Sequence, residues 1–389
     1  MLTSAALPFP SVIYVRRVVL ALLLAAPLLA IALRPGVEAQ EQTVVVMSTT
    51  LRTPFLSWTV RQLTNEPRIE DIEVAGSPAT LARPGGGDGP WPAILFVNGA
   101  TRLGRKEPEV QDLARGLARA GYLVVVPDVK GLKDGEVTDA TVAATVAATR
   151  AVAERPDVRS GHVALVGVSL GGTLALLAAE STALADRVTV VSAITPYTDL
   201  KEVIRLATTG YQRRGNRLIP RTTAPYVSLV VARSLAAALP ASDFQRRLLA
   251  ELEAVNDDDP DPLAALRALP PATVPSDLRP VFDLVTNQDP RLFDQLYAAL
   301  PAALKAGVAR LSPITRARRL VMPVELISPP QDKYFPVSQS EALVAAAPDA
   351  RLTVTKAFSH VLPQPSLSHP RDLLRLDGWV LRSLKAAAG

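Results

Sequence analysis

Val163-Ala164-Leu165-Val166-Gly167-Val168-Ser169-Leu170-Gly171-Gly172-Thr173 is the stretch whose reading decides the fold. Val163 to Val166 is a short apolar run and predicts a buried strand. Thr173 to Glu180 has the composition of a helix. Between them stands G-x-S-x-G, the pattern of a serine carried on a sharp strand-to-helix turn. Glycines without a Cβ let the chain turn tightly and hold Ser169 in a strained conformation. The hydroxyl then sits at the carboxyl edge of a sheet, over the positive end of the next helix. The bland alternative is a Gly-rich turn with a solvated serine.

Outward from this stretch the chain alternates. Ala93 to Val97, Tyr122 to Val126 and Val188 to Val191 read as strands; Pro108 to Ala120 and Val137 to Glu154 read as helices. Such alternation argues for a mostly parallel sheet with helices on both faces. Upstream, Ile69 to Val74 and Ala79 to Arg83 predict a hairpin across Gly76-Ser77-Pro78. Beyond Thr195-Pro196 strands disappear. Helices are expected over Leu200–Thr208, Tyr226–Leu239, Phe244–Val255, Pro262–Leu269 and Leu292–Leu311. The alternation resumes with strand Val324–Ile327, helix Ser338–Ala347, strand Leu352–Thr355 and helix Arg371–Leu384. The expected organisation is therefore a linker or a surface helix over 40–68, the helix around Phe55 to Leu63, an α/β core over 69–196, an all-helical cap over 197–318, and the rest of the core over 319–389. Ligands of such sheets bind outside the carboxyl ends of the strands.

A serine nucleophile needs an adjacent base, and the base an orienting acid. The chain has three histidines and no cysteine. His162 falls at the amino edge, and His369 beside Pro370 reads as a helix-entry residue. His360 follows strand Leu352–Thr355 and shares the carboxyl edge with Ser169, so it is the candidate base. Asp332, in the loop leaving strand Val324–Ile327, is the candidate acid; Asp199 is the runner-up, and Asp349 faces the wrong edge. Oxyanion donors are expected from the backbone of Leu170 and of Ala100 in Asn98-Gly99-Ala100-Thr101, with Thr101 a second choice.

Asn98-Gly99 after a strand, the Gly167-to-Gly171 pattern, the Asp332 loop and His360 together resemble the α/β-hydrolase superfamily, most closely dienelactone-hydrolase-like and acyl-peptidase-like members with a helical cap. The resemblance covers roughly 69–195 and 320–388. It implies cleavage of an ester, thioester or amide through an acyl-enzyme on Ser169, with His360 and Asp332 completing a triad and no metal or organic cofactor. Two departures stand out. The family usually has His-Gly where this chain has Asn98-Gly99, and the absence of cysteine excludes the Cys nucleophile common in dienelactone hydrolases proper. A catalytically silent binding protein and an acyltransferase are the competing readings.

Composition narrows the partners. The chain of 389 residues is 48% hydrophobic and 20% charged, with a net charge of +5, enough for a large core. No basic stripe with interleaved aromatics appears, which argues against nucleic acid. The Ala/Leu-rich cap favours a small-molecule substrate with an apolar acyl group; Arg213-Arg214 and Arg217 read first as a solvated loop, with a contact to an anionic group the alternative. Asn256 to Asp261 is a charge run without the spacing of a calcium loop. Arg16-Arg17 precede sixteen uncharged residues, Val18 to Leu33, followed by Val37-Glu38-Ala39. That pattern reads as a secretory signal cleaved after Ala39, or as a retained membrane anchor, and in either case as export of the body.

Overall fold

The structure is a computed structural model describing residues 38–50, 54–364 and 369–389. The expected signal or anchor segment lies outside the described residues. Among the described residues no helix is long and apolar enough to cross a membrane.

Eight strands form the main sheet: β1 (Arg68–Val74), β2 (Ser77–Arg83), β3 (Trp91–Val97), β4 (Leu123–Pro127), β5 (Val158–Val168), β6 (Val188–Ile194), β9 (Val324–Ser328) and β10 (Ala350–Val354). Strands β7 (Tyr211–Arg214) and β8 (Arg217–Pro220) pair only with each other. The spatial order is β1-β2-β4-β3-β5-β6-β9-β10. β2 is antiparallel to both its neighbours, and all pairs from β4 to β10 are parallel. The chain steps from β3 outward to β4 and then crosses back to β5 on the other side of β3. Val97 and Gly167 are therefore register partners at adjacent carboxyl ends. This reversal opens the crevice in which ligands of such sheets bind.

Both faces of the sheet are buried, so its central strands carry apolar residues on each side. Leu123 and Val125 of β4 enter one core cluster while Val124 and Val126 enter the other, as a two-residue side-chain period requires. One face is covered by α1 (Glu38–Thr50), α3 (Pro108–Arg119) and α14 (Pro370–Ala388); the other by α4 (Asp139–Ala153) and α5 (Leu170–Ala179). Helix α2 (Pro54–Leu63) follows α1. Helix α4 starts at a capping box in which the Thr138 hydroxyl accepts from the Thr141 N–H.

The structure departs from expectation in four places. The stretch expected as a linker begins with α1, whose Val46 and Met47 are buried in the core and whose Thr49 lies where a side chain on Gly116 of α3 would reach. Its contiguous valines, Val44 to Val46, conceal the helical period. The region 197–318 is not all helical. Helix α6 (Leu200–Thr209) is followed by the β7–β8 hairpin, whose turn Gly215-Asn216 takes a positive φ of 56° at the glycine. Helices α7 (Pro225–Ala237), α8 (Asp243–Ala254) and the short α9 (Ala264–Arg267) follow, then α10 (Arg279–Thr286), which the sequence pattern did not reveal. The expected single helix Leu292–Leu311 is two, α11 (Phe293–Ala299) and α12 (Ala302–Arg310). Pro301 cannot donate a hydrogen bond and forces Leu300 to ψ 148°. Helix α13 (Val337–Ala346) and the small β11 (Phe358–Ser359)–β12 (Leu362–Pro363) hairpin complete the chain.

Candidate active site

Ser169 has φ 54° and ψ −123°, a region a side-chain-bearing residue occupies only under strain. Its N–H donates to Ile194 O at 2.8 Å, tying the turn to the end of β6. The glycines around it are required by contact. A Cβ on Gly171 would overlap the carbonyl oxygens of Val97 and Asn98, and one on Gly167 would overlap the Gly171 carbonyl. The strand β5, the loop after β3 and the start of α5 therefore pack backbone to backbone.

That packing sets the backbone amides beside the serine. Thr173 N–H donates to Ser169 O, the first bond of α5. The amides of Leu170, Gly171 and Gly172 consequently have no acceptor within the helix, and the Ser169 side chain does not cap them. Gly99 approaches so closely that an added Cβ would lie 3.4 Å from Ser169 Cβ. Buried Asn98, in place of the expected histidine, donates from Nδ2 to Gly99 O at 2.8 Å and stiffens the loop. Ala100 and Leu170 line the same cavity as Ser169. Thr101 lines the cavity too, and its Oγ1 accepts from Gly104 N–H within its own turn.

Asp332 and His360 converge on the serine. β9 and β10 are parallel neighbours, so the loops leaving their carboxyl ends lie side by side. The Asp332 side chain is fully buried; Oδ1 accepts from the N–H groups of Tyr334 at 2.7 Å and Phe335 at 3.0 Å. Oδ2 lies 2.8 Å from His360 Nδ1. His360 Nε2 lies 3.1 Å from Ser169 Oγ. The histidine occupies the turn of the β11–β12 hairpin with φ 48°. Its ring stacks on Tyr334, centroids 4.2 Å apart, and meets the Phe335 ring edge-on. The roles of Tyr334 and Phe335 were not foreseen; the signal was their position directly after the acid, where backbone amides curl round a carboxylate.

The other candidates lie elsewhere. His162 is exposed on the amino half of β5, and His369 is the exposed residue preceding α14. Asp199 caps α6 by accepting from Glu202 N–H, and Asp349 is exposed before β10. Arg213 pairs with Asp294 and Arg214 with Glu341, and neither these two nor Arg217 lines the cavity. In the Asn256–Asp261 run, Asp257 bridges Arg102 and Arg233. Among the described residues no group of His, Cys, Asp and Glu is arranged to hold a metal ion.

The cavity above Ser169 measures about 1100 Å³, at the upper end of ligand-binding pockets. Valines and leucines of α6, α7 and α12 supply much of its wall, and Tyr197 and Phe335 approach the catalytic side. Tyr197 is buried with its ring edge-on to Phe335, and burial holds its phenol far above the usual value, hence neutral. The charged lining is mostly acidic, with Glu107, Glu109, Asp112, Glu136 and Asp139 beside Arg310; Asp139 pairs with Arg310 at 2.9 Å and Asp112 lies 3.9 Å from Arg115.

An eight-stranded sheet with only β2 reversed, a strained serine after β5, and the Asp332 and His360 loops after the last two strands are the architecture of one fold. The chain has the α/β-hydrolase fold. The family description "X-Pro dipeptidyl-peptidase (S15 family)" matches residues 78–263. Among curated proteins none matches significantly. Solved structures similar to this chain include Est1E from Butyrivibrio proteoclasticus, 13% identical over 82% of this chain and 99% of that one, with a TM-score of 0.46. A 2,6-dihydroxy-pseudo-oxynicotine hydrolase is 13% identical over 90% of this chain and 81% of its own, TM-score 0.46. A putative dienelactone hydrolase from Klebsiella pneumoniae is 15% identical over 81% and 99%, TM-score 0.43. The chain is an enzyme of the serine hydrolase kind.

Proposed function

We propose that the chain hydrolyses a neutral carboxylic ester with an apolar acyl group through an acyl-enzyme on Ser169. The continuous hydrogen-bonded line from Ser169 Oγ through His360 to buried Asp332 carries this reading. His360 Nε2 takes the serine proton as Oγ attacks the ester carbonyl. Asp332 holds Nδ1–H and stabilises the imidazolium that forms. The oxyanion is received by the amides of Leu170 and Ala100, where preorganised donors act at no reorganisation cost. His360 then protonates the departing alcohol, and a water activated by the same imidazole releases the acid. The mostly acidic lining, even with Asp139 and Asp112 beside arginines, disfavours an anionic substrate.

The test is a set of p-nitrophenyl esters with wild type and Ser169→Ala, together with labelling by a fluorophosphonate. Turnover and labelling are expected in the wild type and lost in the variant. Undiminished turnover in Ser169→Ala would end the proposal. Export of the body is proposed from the basic-flanked apolar run Val18–Leu33 alone. Cell fractionation with amino-terminal sequencing of the mature chain checks it; a cytoplasmic protein retaining Met1 would count against it.

A further inference from the structure

Five glycines lie within helices that matter here, and three of them have a packing reason. Side chains on Gly171 and Gly172 would crowd the elbow, and one on Gly116 would press on Thr49 of α1 at 3.1 Å. Gly307 of α12 has no such reason. A Cβ there would meet nothing nearer than Arg310 Nη2, at 3.9 Å. Its φ is not positive, so the backbone does not require glycine either. A glycine in a helix interior nevertheless weakens the helix relative to alanine.

Position explains what packing does not. Leu304, Gly307, Val308 and Leu311 line the cavity above Ser169, and their spacing places them on one face of α12. Val227, Val230, Val231 and Leu235 do the same for α7. These stripes are mainly apolar, so the volume beside them suits hydrocarbon; the Arg310–Asp139 ion pair borders it at the end of α12. The stripe from Leu304 to Leu311 is about 10 Å long, room for an extended chain of about eight carbons.

Resting on the serine hydrolase reading above, we propose that Gly307 is a specificity-determining residue. Its missing side chain keeps open the part of the cavity along α12 that receives the unbranched apolar tail of the substrate. A larger residue at 307 occupies that space without touching Ser169, His360 or Asp332. Gly378 of α14 provides the control: it is similarly unhindered, with Arg382 Nη1 at 3.6 Å, but does not line the cavity.

The experiment compares full-length wild type, Gly307→Ala, Gly307→Leu and Gly378→Ala on p-nitrophenyl esters from acetate to palmitate and on acetate esters of alcohols of increasing length. In whichever series wild type favours long chains, Gly307→Leu is expected to lower kcat/KM for the longest members by about tenfold or more while leaving the shortest within about twofold. Gly307→Ala should fall between, and Gly378→Ala should reproduce wild type. A length profile unmoved by Gly307→Leu in both series overturns the inference while leaving the hydrolase reading intact. A second readout does not need turnover: dodecyl dansylamide binding to Ser169→Ala, with and without Gly307→Leu. Weaker binding in the double variant supports the inference even if no ester is cleaved, and equal binding refutes it. If Gly307→Leu fails to fold, Gly307→Ala carries the same comparison, with a smaller expected shift.

Discussion

The carboxyl edge of the sheet and the inserted helices meet at one cavity, yet they are built differently. At the edge, position is held by backbone. Ser169 sits in a strained conformation tied to Ile194, Gly171 leaves no room for a Cβ, and Asp332 takes two main-chain N–H groups before it reaches His360. In the insertion, position is held by side chains, as apolar stripes of α6, α7 and α12 line the cavity and pack into the core through many of the same residues, among them Ile204, Val231 and Val308. Chemistry needs placement within fractions of an ångström, which rigid backbone supplies. Selection among apolar substrates needs only shape and volume, which side chains can vary. Substitutions at the edge should therefore alter rate on every substrate, and those in the insertion should alter the ranking of substrates.

The largest effect breaks the edge outright. Ser169→Ala should lower kcat by about 10⁶-fold on all esters alike, with an unchanged melting temperature by calorimetry, since a small hydroxyl alone is removed. Asp332→Asn should cost about 10⁴-fold in kcat by favouring the wrong imidazole tautomer. If either variant lost activity on long esters only, the division between edge and insertion would fail. Gly171→Ala forces a methyl against the carbonyls of Val97 and Asn98. It should destabilise the fold by about 3 kcal/mol, read by urea unfolding, and displace the Leu170 amide as well.

The smallest effect sits at the joint between the two regions. Glu180 ends α5 with a nearly inaccessible side chain, and Arg316, on the chain returning from the insertion, pairs with it at 3.0 Å. Burial raises its carboxyl to about 7, only partly opposed by Arg316. The folded-state value lies above the unfolded one, so this group favours folding most at pH below about 4.5 and loses that contribution as pH rises to about 7. Glu180→Gln should flatten the stability profile in that window, the gain from neutral burial being offset in part by leaving Arg316 unpaired. Urea unfolding at several pH values measures this; parallel profiles for the two proteins would show that Arg316 compensates the burial fully.

The elbow was legible because its signals are local. Gly167, Ser169 and Gly171 lie within five positions, between an apolar run and a helix. Asp332 and His360 were legible for a related reason: in a parallel sheet, the residue after each strand falls at the same edge. The ring of Tyr334 under His360 was not, since stacking depends on how two loops from β9 and β10 fold over each other. Helix α1 was missed because three consecutive valines have no visible period, and the β7–β8 hairpin because four-residue strands are too short to show one. The break at Pro301 was readable in principle from the rule against helix before proline.

By itself the sequence determined the alternation of strand and helix, the nucleophile turn and the edge to which the acid and base belong. These follow from steric limits on neighbouring residues, which act without reference to the rest of the chain. Only the tertiary structure decided that 191 positions of separation close to a 3.1 Å contact between Ser169 and His360, and that Gly307 faces a cavity and not a neighbour. Such outcomes depend on the packing of elements distant in the chain, and no local pattern records them.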